Sequence, residues 1–282
     1  RVPYVAISEL PDGTFRSEEF SLQPLPAAGQ PVKMLLTSDQ QNNRMATANF
    51  QKVQETIGPV DAVLFPGDFV STPNRASEWF DRASLNNPSF FQSLQGTMRR
   101  WNSASVFTGG QVLQHAALYG CLGNHEHPGR YRLDPATNNP ANTGTPNLNT
   151  MDNDPQPRWY AEARYEQVKA QVNPTGDPAL RERWIEDNSF EWTTYREMWS
   201  LPEGPQGKQY WAKRYGDVFL VSLNANRIWR VWNPNQRGKF TEMVASGTSQ
   251  VIQSPDNWGF GDFTFVPFGR NSTQFAWLTQ VL

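Results

Sequence analysis

Three short apolar runs, each ending in a side chain able to hold a metal ion, constrain this sequence more than any other feature. Val32-Lys33-Met34-Leu35-Leu36 runs into Thr37-Ser38-Asp39-Gln40-Gln41, and Ala62-Val63-Leu64-Phe65-Pro66 runs into Gly67-Asp68. Ala116-Ala117-Leu118-Tyr119-Gly120-Cys121-Leu122 runs into Gly123-Asn124-His125-Glu126. Apolar runs this short, bounded by turn residues, read as buried strands. Between the first two, Ala46, Phe50, Val53 and Ile57 recur at helical spacing, which predicts an amphipathic helix over residues 44–57, stopped by Gly58-Pro59. Strand, helix and strand in that order make a β-α-β unit with parallel strands. Open α/β sheets present their ligands at the C-terminal edge, so the polar ends of all three runs are expected to meet there. The expected fold class is α/β.

The residue types at that edge suit one chemistry. Asp39 and Gln41 are two apart at a strand end, and an extended backbone would point both side chains to one side. Asp68 and Asn124 come from neighbouring strands. Aspartate offers a hard anionic oxygen able to bridge two cations, while Asn and Gln offer neutral amide oxygens. Two cations a few ångströms apart clamp a phosphate and make hydroxide available as a nucleophile at neutral pH. Taken singly, each residue has a plainer reading: an Asp at a strand end is commonly a turn former or helix cap. His127 reads as a loop residue and His115, at the start of a strand, as structural. Cys121, the single cysteine, reads as a small buried hydrophobe.

In this order the three motifs resemble those of the calcineurin-like metallophosphoesterases, the superfamily that includes the purple acid phosphatases. The resemblance implies a metallophosphoesterase-like β-sandwich flanked by helices. It also implies hydrolysis of a phosphate mono- or diester by a metal-activated hydroxide. Two divalent or trivalent ions, drawn from Fe, Zn, Mn or Mg, would be the cofactors. By the same resemblance Asp39 and Gln41 would serve the first metal, Asp68 would bridge, and Asn124 would serve the second. His125 would be the catalytic residue, bonded to the phosphoryl group and protonating the leaving oxygen. Glu126 would orient His125 or close the turn. The partner would be a phosphoester substrate, and the compartment extracellular or periplasmic.

Three departures accompany the resemblance. The usual Asp-x-His opening is Asp39-Gln40-Gln41 here, so an amide oxygen replaces an imidazole. Ser71 stands where purple acid phosphatases place a tyrosine, so no tyrosinate–iron colour is expected. The family also completes its site with later histidines, whereas the three His here are at 115, 125 and 127. The missing ligands are therefore expected from a C-terminal segment or a second chain. The alternative is a non-catalytic binding or structural module on a phosphoesterase-like fold.

The rest of the chain is organised around this core. Tyr4-Val5-Ala6-Ile7 and Glu18-Glu19-Phe20-Ser21-Leu22 read as two strands around the turn Pro11-Asp12-Gly13, followed by a Pro-bounded linker. A lone hairpin is marginal in water, so residues 1–28 either pack on the main domain or end an upstream β-sandwich. The main domain, metallophosphoesterase-like by the resemblance, is expected over residues 29–282 and incomplete at its C-terminal end, with insertions at about 128–208 and 226–272. Residues 76–101 read as helical pieces broken at Asn86-Asn87-Pro88, residues 158–172 and 178–200 as helices, and Gln274–Leu278 as the start of another. Tyr210–Tyr215 and Val218–Leu223 read as strands around Gly216-Asp217. The aromatic stretch Trp258–Phe265 packs under the second insertion or stacks on a base or sugar. Asn271-Ser272-Thr273 is a glycosylation sequon. A net charge of −2 gives no basic nucleic-acid footprint. No run of about 18 apolar residues encodes a membrane span, and Arg1-Val2-Pro3-Tyr4 carries no leader-type apolar region.

Overall fold

The N-terminal segment folds as one jointed hairpin. Val2–Tyr4 (β1) pairs antiparallel with Phe20–Leu22 (β4), and between them Ile7–Leu10 (β2) pairs with Gly13–Arg16 (β3). Two strands were expected; the ladder breaks in the middle because the Ser17 hydroxyl accepts the Ala6 N–H at 2.9 Å in place of a backbone partner. The outer half is exposed, and the inner half is tied to the α/β body. Tyr4 donates to the Gln114 carbonyl at 2.8 Å. The Arg1 guanidinium reaches the carbonyls of Val60 and His115 and pairs with Asp61 at 3.0 Å. His115 is structural, as expected: its Nδ1 lies 3.0 Å from the Ser21 carbonyl and its ring meets Phe20 edge-on.

The computed structural model describes residues 1–73, 75–81, 88–101, 106–129, 149–150, 158–187, 192–228, 263–264 and 266–282. The three apolar runs form its central sheet. Met34–Leu36 (β5), Ala62–Phe65 (β6) and Ala117–Gly120 (β9, after the short pair Arg100–Trp101, β7, and Val106–Phe107, β8) lie parallel in the order β5-β6-β9. Leu36 stands opposite Leu64, and Phe65 opposite Gly120, so the three C-terminal ends are level. Helix Ala46–Ile57 (α1) makes the crossover, burying Ala46 and Phe50, and Gly58 ends it with a positive φ of 71°. Side chains with a Cβ resist that backbone region, which is why the helix stops where glycine occurs.

Aromatic side chains fill the space behind the sheet. Phe65 and Phe69 stack with ring centres 4.5 Å apart, and Trp79 of Ala76–Trp79 (α2) and Phe90 of Phe90–Gln95 (α3) pack on them. Trp199 closes the cluster against Phe69 at 4.9 Å. Beyond the short ladder Pro128–Gly129 (β10) with Asn149–Thr150 (β11) come Arg158–Val172 (α4), Pro178–Asp187 (α5) and Thr193–Met198 (α6). The hairpin Trp211–Tyr215 (β12) and Val218–Ser222 (β13) follows, and β9 is bonded from both α6 and β12: Tyr195 Oη and Trp211 Nε1 donate to the Gly120 carbonyl, at 2.9 and 3.0 Å. Arg227–Ile228 (β14) pairs with Phe263–Thr264 (β15), and Thr273–Val281 (α7) follows, capped by the Ser272 hydroxyl.

Among the described residues the architecture is α/β: small sheets mixed with helices, none closed into a barrel. Cys121 is half-buried, and burial pushes its thiol up. No described helix is long and apolar enough to cross a membrane. The break expected at Asn86-Asn87 and the role of Trp258–Phe265, apart from the Phe263–Thr264 backbone, lie outside the described residues.

Candidate functional site

The edge where the three strands end is built on unusual backbone. Asp39, Gln41, Asn42 and Asp68 all hold positive φ, at 54°, 43°, 57° and 56°. Asn and Asp visit this region more readily than other residues bearing a Cβ, and each such residue costs on the order of 1 kcal/mol unless its surroundings enforce it. Here the neighbouring strand end enforces it. The Asp39 N–H donates to the Gly67 carbonyl at 3.3 Å, and the Gln41 N–H is shared between the carbonyls of Phe69 (3.1 Å) and Asp68 (3.3 Å). This corrects the expectation of an extended Asp39–Gln41 stretch. β5 stops at Leu36, and the loop turns left-handed to lay its N–H groups on the neighbouring loop.

The second and third strand ends touch at two glycines. A Cβ on Gly67, whose φ is 107°, would overlap the Gly123 backbone, and one on Gly123 would overlap the Asp68 carboxylate. Glu126 joins the same two turns. Its carboxylate is 1% exposed and accepts three backbone N–H groups: Asp68 and Gly123 at 2.7 Å and Phe69 at 2.9 Å. Of its two expected roles, closing the turn is the one these bonds make. Burial, then the nearby Asp68 carboxylate, pushes Glu126 up to about 8 against the pull of the three donors.

Asp68 is the centre of the cluster. Its Oδ1 accepts the His125 backbone N–H at 3.0 Å and its Oδ2 accepts Gln41 Nε2 at 2.8 Å. Burial raises its pKa, and Asp39 adds to the rise. His125 Nδ1 lies 2.8 Å from the Ser71 carbonyl. A carbonyl only accepts, so Nδ1 carries the proton and neutral His125 is left with a lone pair on Nε2. The Ser71 hydroxyl donates to the Gln41 carbonyl at 2.6 Å, so Ser71 binds both neighbouring loops.

Gln41, Asp68 and His125 are thus joined directly. Asp39 reaches them through its backbone bond to Gly67, and its exposed carboxylate accepts the Ser38 hydroxyl at 2.5 Å. The half-buried Asn124 side chain makes no hydrogen bond among the described residues. A groove of about 170 Å³ opens beside Asp39, lined by Ser38, Asn43, Met45, Phe50 and Val53. His127, expected in a loop, is wholly buried, with Nδ1 3.0 Å from the Gly123 carbonyl, and burial pushes its pKa down to about 4. Its spacing of four from Gly123, across a tight turn, is the signal that could have placed it there.

Asp39, Asp68 and Glu126 form an electrostatic group in which Asp39 raises Asp68 and Asp68 raises Glu126. Among the described residues no Lys or Arg forms an ion pair with any of them. The oxygen donors of Asp39, Gln41, Asp68 and Asn124 suit a hard cation. Among the described residues no group of three or more His, Cys, Asp or Glu is arranged to hold a metal, so any fit rests on amide oxygens beside the two aspartates. Compared with known proteins, the chain matches no family model, no curated sequence and no solved structure.

Proposed function

We propose that this edge is the site of a metal-dependent phosphoester hydrolase resembling the calcineurin-like metallophosphoesterases, acting on a phosphate mono- or diester. The observation that carries the reading is the pair of aspartates at level strand ends, Asp39 and Asp68, both held on left-handed backbone, with Glu126 beside Asp68 and, among the described residues, no Lys or Arg paired with any of the three. Buried negative charge without a partner is costly, and a bound cation would offset it. Asp39, Gln41, Asp68 and Asn124 would hold divalent or trivalent ions, with Gln41 turning its amide oxygen toward the cation. Bound ions would supply Lewis-acid activation of water and neutralise phosphate charge. His125 would bond the phosphoryl group through Nε2. Further ligands would come from another segment or a second chain, completing a sandwich of the family's type, and the compartment would be extracellular or periplasmic.

The competing reading is a binding or structural module. One bond favours it: Gln41 Nε2, and not its amide oxygen, faces Asp68 Oδ2, at 2.8 Å. Titration of the full chain with Mn²⁺ or Zn²⁺ in a calorimeter, alongside hydrolysis of p-nitrophenyl phosphate and its diester, separates the two. The hydrolase takes up cation and turns over, and both are lost in Asp39→Ala. Turnover that survives in both Asp68→Ala and Asn124→Ala would show the site to be misassigned. A chain that binds no cation at millimolar concentration, with the segment or second chain that supplies the further ligands present, is the module.

A further inference from the structure

We propose that Glu78 is a positioning residue for His125, acting through the Ser71–Thr72 peptide. For what His125 does, this rests on the hydrolase reading above; for how His125 is held, it does not.

The peptide between Ser71 and Thr72 has two bonded ends. Its carbonyl, from Ser71, accepts His125 Nδ1 at 2.8 Å, and its N–H, from Thr72, donates to Glu78 Oε2 at 2.7 Å. A peptide unit is planar and its C=O and N–H point opposite ways, so fixing the N–H fixes the direction of the carbonyl. A carboxylate on the N–H also polarises the unit, which strengthens the bond accepted at its other end. Glu78, peptide and His125 therefore form a relay in which a carboxylate orients an imidazole through one amide. Direct carboxylate–histidine pairs do the same without the intermediary.

The surroundings hold both ends of the relay. Asn42, 5% exposed and at positive φ, accepts the Ser71 N–H at 3.0 Å and donates to the Glu78 carbonyl at 3.0 Å and the Pro88 carbonyl at 2.9 Å. Trp79, the residue after Glu78, donates its indole N–H to the Pro73 carbonyl at 2.8 Å. Among the described residues the Glu78 carboxylate also meets Arg75, at 3.6 Å.

The test uses the full chain, nitrogen-15 NMR of the His125 ring at alkaline pH, and the Thr72 amide proton resonance. In the wild type His125 should hold one tautomer, with its proton on Nδ1. Glu78→Gln keeps an acceptor but removes the charge, so the Thr72 N–H and His125 Nδ1–H resonances should both move upfield. Glu78→Leu should give mixed tautomers, and where hydrolysis is measured kcat should fall about ten- to a hundredfold with little change in KM. A wild-type ring protonated on Nε2 overturns the proposal, as does a Glu78→Gln variant in which Thr72 moves and His125 does not. Both of these readings remain available if Glu78→Leu fails to fold. Coupled resonances in a chain that hydrolyses nothing would keep the relay and discard the hydrolase.

Discussion

At the scale of single residues, Glu126 and His127 hold the Gly123 turn from opposite sides of neutrality. Glu126→Gln must place an amide N–H₂ against at least one backbone donor, because each carboxylate oxygen already accepts one. A loss of about 2 kcal/mol is expected, read as a lowered denaturant midpoint with unchanged slope. His127 sets a pH dependence. Its folded pKa of about 4 lies below its ordinary 6.5, so the folded state resists a proton that the unfolded chain accepts. Stability from this group is complete above pH 6.5 and drains as pH falls toward 4, by up to about 3 kcal/mol. Glu126, raised from 4.5 to about 8, works the other way, favouring the fold at low pH and withdrawing support as pH rises through that window. Unfolding curves of the wild type and His127→Asn across pH 4 to 7 separate the two: the difference between them should grow with pH and then level off above 6.5.

At the scale of elements, β9 lies at the edge of the parallel sheet among the described residues, and two side chains bond its outward carbonyl. Tyr195 and Trp211 both donate to the Gly120 carbonyl. Tyr195→Phe alone leaves that carbonyl one donor and should cost about 1 kcal/mol in denaturant unfolding. Pairing it with Trp211→Phe strips both donors, and the double variant should lose more than the sum of the singles. These elements were legible before the structure because their signals are local: the apolar runs marked all three strands, Ala46, Phe50, Val53 and Ile57 marked α1, and Gly216-Asp217 marked the β12–β13 turn. The left-handed turn at Asp39–Asn42 was not legible, since it is stabilised by carbonyls of Gly67, Asp68 and Phe69 on another loop. For the same reason the Glu126 bonds and the burial of His127 stayed hidden: the partners are either on another strand end or fixed by its approach.

At the scale of the whole molecule, cation binding and folding should be linked. A ligand that binds only the folded chain at a hundred times its Kd adds about 2.7 kcal/mol of stability. Millimolar Mn²⁺ should therefore raise the Tm of the wild type, and the rise should disappear in Asp68→Asn; a Tm indifferent to the cation in both proteins would count against the hydrolase. The Glu126 staple gives this linkage a particular form. Its bonds to Asp68 and Phe69 close loops of 58 and 57 residues. Loop closure of that length costs chain entropy that local structure cannot offset, so the turns holding Asp68 and His125 cannot be ordered in a fragment or an early folding intermediate. In refolding, ligand affinity should arrive in the last kinetic phase and in a single step, together with the native β6–β9 register.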